Sequence, residues 1–208
     1  MSNFPWLKVL LSSFLAASLA VALSACGEED ATSIRIQVND DWTGTILASS
    51  VIIPAEAGPA ESAVSGATWE SRGAIAMAKG TFTDISKLKI ADMTFEYGGA
   101  GVSRVIRVSL PRGPNAQWPK ALTIPSGEQR KAVTTALDPK DEASRLGQVM
   151  KIELTVPGTV VSASIRSKGR GLSSAQEQTI ATLLVPVDVA LDPADGQPLV
   201  WHVTWERK

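Results

Sequence analysis

Residues 93–110, with the sequence MTFEYGGAGVSRVIRVSL, decide the fold that we expect for this chain. Two segments with strand-like patterns, 93–97 and 102–110, flank the glycine-rich sequence GGAG at 98–101. Alternation of apolar and polar residues with a period of two places every second side chain on one face of a half-buried strand. Glycine supplies the backbone freedom that a turn requires. The stretch therefore predicts a β-hairpin with a flexible turn at 98–101.

Strand patterns also recur before and after this hairpin, whereas helical patterns are few and short. The other strand patterns lie at 33–38, 45–54, 73–79, 148–156, 159–166, 183–189 and 199–205. In the last of these, Trp201, Val203 and Trp205 share one face. Because turns rather than long helices join the strands, we expect an antiparallel or mixed sheet. The predicted class is α+β, with a mainly antiparallel or mixed β-sheet and one or two short helices in a single domain.

The remaining segments predict short helical turns or loops. A single helical turn is expected at 84–89 with Asp84 as its cap, and a helix at 126–137 with Ser126 as its cap. Loops are expected at 55–66 and 167–174. Residues 175–182 fit either a helical turn or a strand, so both alternatives stay open.

The N-terminal segment predicts that the protein is exported and then anchored to a membrane by lipid. Lys8 is the only charged residue before position 26, and residues 9–25 form an apolar stretch that is typical of a secretory signal. This stretch ends in Leu23, Ser24, Ala25 and Cys26, which has the form of a lipobox. Small residues let a peptidase reach the backbone at the cleavage site, and the cysteine thiol takes a diacylglycerol thioether.

Three segments follow from the lipobox. We expect residues 1–25 to be a signal peptide that is removed, 26–32 to be a tether lipidated on Cys26, and 33–208 to be a β-rich envelope domain. Two or three acyl chains hold a protein durably to a bilayer, whereas one chain binds only marginally. The alternatives are an uncleaved membrane anchor and an ordinary signal peptide with a chance cysteine.

The residue after the cysteine indicates whether the protein is anchored to the inner or the outer membrane. It is Gly27 rather than aspartate, and proteobacterial sorting rules then favour the outer membrane, facing the periplasm. In an organism without an outer membrane, the expected location is the outer face of the cytoplasmic membrane.

Charge and cysteine content narrow the classes of function. The chain has 20 basic and 21 acidic residues, and removal of residues 1–25 takes away Lys8 and leaves a net charge of −2. Without a basic excess, nucleic-acid binding is not expected. Cys26 is the only cysteine, so a lipidated chain has neither a disulfide nor a thiolate metal site. We expect no metal and no cofactor.

His202 is the one candidate for catalysis. It is the only histidine, so it does not build a multi-histidine metal site, and a Ser-His-acid triad would have to use it. It lies inside the predicted strand 199–205, where a solvent-facing strand residue is the plainer interpretation. We therefore assign no catalytic residues and expect a protein that is not an enzyme.

Three other polar motifs also have plain structural interpretations. Residues 39–41, Asn-Asp-Asp, are followed by Trp42 and lack the distal glutamate of a calcium loop, and they are typical of a hairpin turn. The glycines at 98–101 do not precede a predicted helix whose N-terminus would cradle phosphate. Residues 168–170, Lys-Gly-Arg, form a small basic spot that either touches anionic lipid head groups or is simply solvated.

Two tryptophans are the candidate ligand-binding residues. Trp42 and Trp118 lie in predicted turns, and Trp118 precedes Pro119, which favours an extended or turn conformation. A large ring in a turn needs cover. Either each ring folds back onto the sheet, or it forms a platform for an apolar or carbohydrate ligand.

Several motifs together resemble one family of lipoproteins. They are the lipobox, DWTGT at 41–45, GTFTDISKL at 80–88 and LTVPGTV at 154–160. In this order they are similar to LppM-like bacterial lipoproteins. The resemblance implies a lipid-anchored N-terminus, a compact α/β domain and a role in binding envelope lipids, and it carries over no catalytic residues.

The leading interpretation is a membrane-anchored envelope lipoprotein that binds a lipid, another apolar ligand or an envelope partner. The first alternative is an envelope hydrolase that uses His202. The second is a structural subunit of an envelope assembly. A concave apolar cavity would favour ligand binding, a serine or acid beside His202 would favour the hydrolase, and a free strand edge or flat apolar patch would favour assembly.

Overall fold

A computed structural model of the protein describes residues 32–51, 68–72, 75–122, 149–192 and 196–207. The predicted lipobox and nearly all of the expected tether lie outside these ranges. So do the expected loop at 55–66 and the expected helix at 126–137.

Within the described ranges the chain forms eleven strands and three short helical segments. The strands are β1 Ser33–Val38, β2 Gly44–Val51, β3 Thr68–Arg72, β4 Ile75–Phe82, β5 Thr94–Ala100, β6 Ser103–Leu110, β7 Val149–Thr155, β8 Gly158–Ile165, β9 Ser173–Glu177, β10 Ile180–Pro186 and β11 Leu199–Arg207. The helices are α1 Gln117–Leu122, α2 Val187–Leu191 and a 3₁₀ helix, Ile85–Lys87.

The strands form two sheets that share one hydrophobic core. The large sheet has the order β3-β4-β2-β1-β7-β10-β9, and the small sheet has the order β5-β6-β11-β8. All pairings are antiparallel except that between β1 and β7, which is parallel. The predicted α+β class with a mixed sheet in one domain is confirmed.

Alternating side chains of both sheets build the core. Ile34, Ile36 and Val38 of β1 are buried, and the residues between them are exposed. On β11, Trp201, Val203 and Trp205 are buried as their predicted common face requires. At about 25 cal/mol per Å² of buried apolar surface, the large indole rings are among the strongest contributions to stability.

Two edge strands were not predicted from the sequence. Residues 68–72, with the sequence TWESR, form β3, and residues 173–177, with the sequence SSAQE, form β9. Each is the outermost strand of the large sheet. Four of the five residues of β9 are exposed, so polar residues suffice there and the apolar alternation that identifies a strand is absent. The expected loop at 167–174 therefore ends at the start of β9, and residues 175–182 form the end of β9, a two-residue turn and the start of β10.

The glycines of the central hairpin are strand residues rather than its turn. β5 continues through Gly98 and Gly99, which pair with Val105 and Arg104, and the turn lies at residues 101–102. The hairpin itself is confirmed, but the turn at 98–101 is wrong. The sequence does not distinguish glycines that turn a chain from glycines that leave space beside a strand.

The segment that contains Trp118 is helical rather than extended. The carboxylate of Asp92 accepts hydrogen bonds from the backbone N–H groups of Gln117 and Trp118, at 2.9 and 2.8 Å. This cap satisfies two free donors at the start of α1, and Pro119 is tolerated because the first turn of a helix does not need its N–H. Asp92 is 26 residues away from Trp118 in sequence, so a local pattern does not reveal the cap.

A second correction concerns the segment 183–189, which was predicted to be extended throughout. β10 ends at Pro186, and α2 begins at Val187. A proline precedes the helix, and the carboxylate of Asp188 lies in its first turn, where it accepts a hydrogen bond from the N–H of Val189 at 2.8 Å. The expected helical turn near 84–89 is confirmed, with Asp84 as its cap.

The chain passes from the large sheet to the small one between β7 and β8, over two residues. The turn between β9 and β10 holds this corner, because Val156 N–H donates to the carbonyl of Thr179 at 2.9 Å and Val160 N–H donates to that of Gln178 at 2.7 Å. At Gly158, a Cβ atom would collide with the carbonyl oxygen of Glu206 and would lie 2.9 Å from Cδ1 of Trp205. The corner therefore requires a residue without a side chain.

We expect Gly158→Ala to lower the free energy of unfolding by about 1–3 kcal/mol, because the end of β11 must shift to accept the new methyl group. Thermal unfolding of the purified protein measures the change. Gly98→Ala is the matched control, since its Cβ would meet only Val105, at an ordinary 3.8 Å. The control should stay within about 0.5 kcal/mol of the wild type. Equal destabilisation by the two substitutions would contradict the close approach at Gly158.

Candidate functional site

The two candidate tryptophans occupy different environments. Trp118 has an exposed fraction of 0%, and its indole N–H donates to the carbonyl of Pro111 at 2.8 Å. Its ring is thus folded into the core and offers no face to a surface ligand. Trp42 is half-buried at the turn between β1 and β2, where part of its ring stays accessible. The structure therefore leaves Trp42 as the accessible candidate.

A network of hydrogen bonds fixes the turn that carries Trp42. The Asn39 N–H donates to the carbonyl of Thr43 at 2.8 Å, and one oxygen of Asp41 accepts from both the hydroxyl and the N–H of Thr43, at 2.7 and 3.1 Å. These bonds to Thr43, first from its hydroxyl and then from its backbone, lower the pKa of Asp41. Asn39 and Asp41 are thus used in a hairpin turn, as the plainer interpretation predicted. The carboxylate of Asp40 pairs with Arg207 at 2.8 Å.

Trp42 is directed toward the small sheet. Its backbone lies at φ +68°, in the left-handed region that a bulky residue rarely adopts, and its carbonyl accepts a hydrogen bond from the N–H of Ile85 at 3.0 Å. The ring stacks on Tyr97 with centroids 4.2 Å apart and contacts Trp205 edge-on at 5.6 Å. Both geometries are favourable for aromatic pairs. Trp42 is thus held in place from three sides.

Beside this stack lies a concavity of about 350 Å³, which we call the aromatic recess. It is lined by Trp42, Tyr97, Gly98, Gly99, Gly101 and Arg104. The guanidinium of Arg104 donates to the carbonyls of Gly101 and Ser103 at 2.7 and 3.1 Å, which places a fixed positive charge at the rim. Aromatic faces, a glycine floor and one cation suit a ligand that combines an apolar face with polar groups.

A second concavity, of about 450 Å³, surrounds His202 on the outer face of the small sheet. We call it the basic recess. It is lined by Arg107, Arg166, Ser167, Gln197, Pro198, Val200 and His202. Arg107 on β6 lies directly opposite His202 on β11, and the Arg166 N–H donates to the carbonyl of Val200 at 3.4 Å.

The surroundings of His202 do not suit a general base of a catalytic triad. Partial burial, then the charges of Arg166 and Arg107, lower the pKa of His202 below its ordinary 6.5. A triad carboxylate would have the opposite effect. In the part of the chain that the structure describes, no carboxylate contacts this ring, and no three His, Cys, Asp or Glu side chains come together to hold a metal ion.

The outer face of the large sheet carries a third concavity, of about 650 Å³. Strand residues such as Gln37, Thr45 and Leu47 line it. Arg35 and Lys151 both pair with Glu153 there, at 3.0 and 3.3 Å. The exposed lining of this concavity is mostly apolar, and two cations on the same face share one carboxylate. No helix in the described ranges is long and apolar enough to cross a membrane.

Comparison with known proteins gives a single weak likeness. No protein-family model matches the chain, and no curated protein matches it. Among solved structures, the chain is similar to the NMR structure of the folded domain of the Mycobacterium tuberculosis protein LppM, with a TM-score of 0.44 and 10% identity over 85% of this chain and 89% of that one. The match is to the family that the sequence motifs suggested, but at this low similarity it assigns neither a family nor a function to the chain.

Sequence reasoning missed most partners in both recesses. Tyr97, Arg104, Arg107 and Arg166 are ordinary strand or loop residues in sequence. One clue was present in the sequence. Trp42 is a large aromatic residue in a predicted turn, and the glycines at 98–99 belong to a glycine-rich segment. Nothing local indicated that these groups meet, since their contact depends on how the β1–β2 turn reaches the small sheet.

We expect the only histidine to titrate with a midpoint below 6.5 in the folded protein. The imidazole proton resonances of His202 measure this midpoint directly by NMR. Arg166→Gln should raise the midpoint, because it removes the larger of the two charge effects. Lys79→Gln, which removes a charge from the exposed face of the other sheet, should not change it.

The same shift links His202 to stability. Its folded pKa is lower than its unfolded pKa, so the unfolded chain binds more protons as the pH falls through 6.5. Protonation of His202 therefore lowers the free energy of unfolding below that pH. A wild-type midpoint at or above 6.5 would contradict the described surroundings of the ring.

Proposed function

We propose that this protein is a membrane-anchored envelope lipoprotein, not an enzyme, whose β-rich domain binds an apolar or carbohydrate group of a ligand or envelope partner. The observation that carries this proposal is the aromatic recess, where Trp42 and Tyr97 stack beside a glycine floor. The lack of an acidic partner for His202 in the described ranges makes the hydrolase alternative the weaker one.

The aromatic recess is prepared for binding before a ligand arrives. The hydrogen bonds around Thr43 fix the turn, and the stack on Tyr97 fixes the ring of Trp42. A preorganised site loses little side-chain freedom on binding, which favours affinity. Tyr97 and Val102, with exposed fractions of 40% and 63%, place apolar surface on the same hairpin, at and beside the recess. These features support contact with an apolar or sugar surface.

The anchor and the aromatic recess lie at opposite ends of β1. The proposed lipid on Cys26 precedes β1, whereas Trp42 follows it. Six residues of strand at about 3.3 Å each separate the two ends by about 20 Å. The proposed tether thus leaves the recess open to the compartment beyond the membrane surface. That compartment is the periplasm for an outer-membrane lipoprotein, and the exterior for one on the cytoplasmic membrane.

The proposed lipid anchor predicts a specific mass for the mature protein. Wild-type chains extracted from membranes should lack residues 1–25 and carry the mass of two or three acyl chains on Cys26. Cys26→Ser removes the acceptor thiol, so the variant should keep residues 1–25 and gain no acyl mass. Ser24→Ala, which keeps a small residue in the lipobox, should be processed like the wild type. Cleavage of the Cys26→Ser chain at the same bond would contradict lipidation.

The proposed ligand can be tested in the same membrane extract. Native mass spectrometry of the wild-type protein should show a non-covalent adduct with an apolar or carbohydrate part. Tyr97→Ala should reduce the fraction with adduct by roughly threefold to tenfold, since it removes one ring of the stack.

Val161→Ala is the control for that measurement. It shortens an exposed apolar side chain on β8, outside the aromatic recess, and should leave the adduct unchanged. An adduct that survives Tyr97→Ala, or that both variants lose equally, would show that the recess is not its site.

A further inference from the structure

The basic recess brings together two arginines and a histidine from three neighbouring parts of the small sheet. Arg107 of β6 and His202 of β11 are paired residues on adjacent strands, and Arg166 directly follows β8, which pairs with β11 on the other side. All three side chains line one concavity. This convergence depends on the order β6-β11-β8 and not on proximity in sequence.

The charge of the basic recess is only partly balanced. Glu96 of β5 pairs with Arg107 at 3.1 Å, but both side chains are largely in solvent, so the pair contributes little. Among the described residues, no carboxylate pairs with Arg166. The like charges of Arg107 and Arg166 line the same concavity and repel each other. The group would therefore be stabilised by an anion in the recess.

The donors in the basic recess suit a tetrahedral oxyanion. A guanidinium presents a planar fork of N–H groups that matches phosphate oxygens, and a histidine ring supplies an N–H donor in either protonation state. Ser167 and Gln197 add polar side chains at the edge, and the hydroxyl of Ser167 lies 3.5 Å from the carbonyl of Pro198. A volume of about 450 Å³ exceeds the needs of an inorganic ion and leaves room for a substituent.

We propose that the basic recess binds a phosphate group through Arg107, Arg166 and His202. The site is separate from the aromatic recess, which shares none of its residues. The phosphate comes either from the head group of an anionic phospholipid or from a small phosphorylated solute.

The position of the basic recess makes a head group accessible. The start of β11 pairs with the end of β6, and beyond that end the Gly113 N–H donates to the carbonyl of Ala190 in α2 at 2.9 Å. α2 follows β10, whose last residues pair with β7 near the start of β1. The basic recess thus lies toward the end of the domain where β1 begins.

The length of the proposed tether is consistent with this source of phosphate. Cys26 is six residues before Thr32, a distance of at most about 20 Å along the chain. A bilayer that held lipid on Cys26 would therefore lie within reach of this end. Only this choice of source rests on the proposed lipid anchor, and the binding of phosphate does not.

The test uses the full chain, purified in a non-ionic detergent, with the ring resonances of His202 as a local probe. One series adds inorganic phosphate at constant pH and ionic strength, and the other adds phosphatidylglycerol to the micelles. We expect a saturable shift in at least one series. The double variant Arg107→Gln/Arg166→Gln should weaken binding by about tenfold or more, since hydrogen bonds to a charged group are stronger than neutral ones.

Lys79→Gln/Lys87→Gln is the matched control, because it removes the same charge from exposed positions outside the basic recess. It should leave the binding unchanged. A response to inorganic phosphate would support a solute site, and a response to phosphatidylglycerol alone would support a head-group site. If neither series saturates, or if the two double variants lose affinity equally, the recess is not a phosphate site. Because the probe is His202 itself, failure of this test would leave the aromatic recess and the Cys26 anchor untouched.

Discussion

The burial of Trp201 and Trp205 between the two sheets is the interaction on which the rest of the domain depends. The indole N–H of Trp201 donates to the hydroxyl of Ser174 on β9 at 2.9 Å, and that hydroxyl lies 3.2 Å from the carbonyl of Ala163 on β8. The hydroxyl of Ser174 thereby links an edge of the large sheet to β8, an edge of the small one, and to Trp201. In the described ranges the indole N–H of Trp205 has no hydrogen-bond partner, so its ring is held by packing, in part against the space that Gly158 leaves open. Since an unpaired buried donor carries a cost of about 1–3 kcal/mol, apolar contact must outweigh it.

The candidate sites lie at the rim and outer face of the small sheet because the side chains on its inner face are buried in the core. Trp205 contributes to both arrangements, since it is a core residue and also the edge-on support of Trp42. The aromatic recess therefore has a rigid base that the core provides. The basic recess uses the opposite side of β11, where His202 alternates with the buried Trp201 and Val203. A single strand thus presents a tryptophan-rich face to the core and a histidine between two arginines to solvent.

The proposed functions divide between the two ends of the domain. The basic recess lies toward the end where β1 begins, and the aromatic recess lies where β1 turns into β2. With lipid on Cys26, a charged surface would approach the head groups and an aromatic surface would point away from them. This arrangement suits a protein that contacts a bilayer on one side and a ligand or partner on the other. It also separates the two chemistries, so that an apolar contact and an ionic contact do not compete for the same residues.

Sequence alone determined the strands whose side chains alternate, such as β1, β6, β7 and β11. In a half-buried strand every second residue is apolar, so the pattern is visible in the sequence. The sequence also predicted a lipobox from a short contiguous motif, and it singled out Trp42. Only tertiary structure decided that β3 and β9 are strands, because β3 is defined by its pairing with β4 and β9 buries too little to show a pattern. It likewise placed Trp118 in a capped helix, since Asp92 reaches that helix from a distant segment. Both recesses depend on strand order, which brings together residues such as Tyr97 with Trp42 and Arg107 with Arg166. Contacts of this kind follow from the packing of two sheets, and no local spacing of residues encodes them.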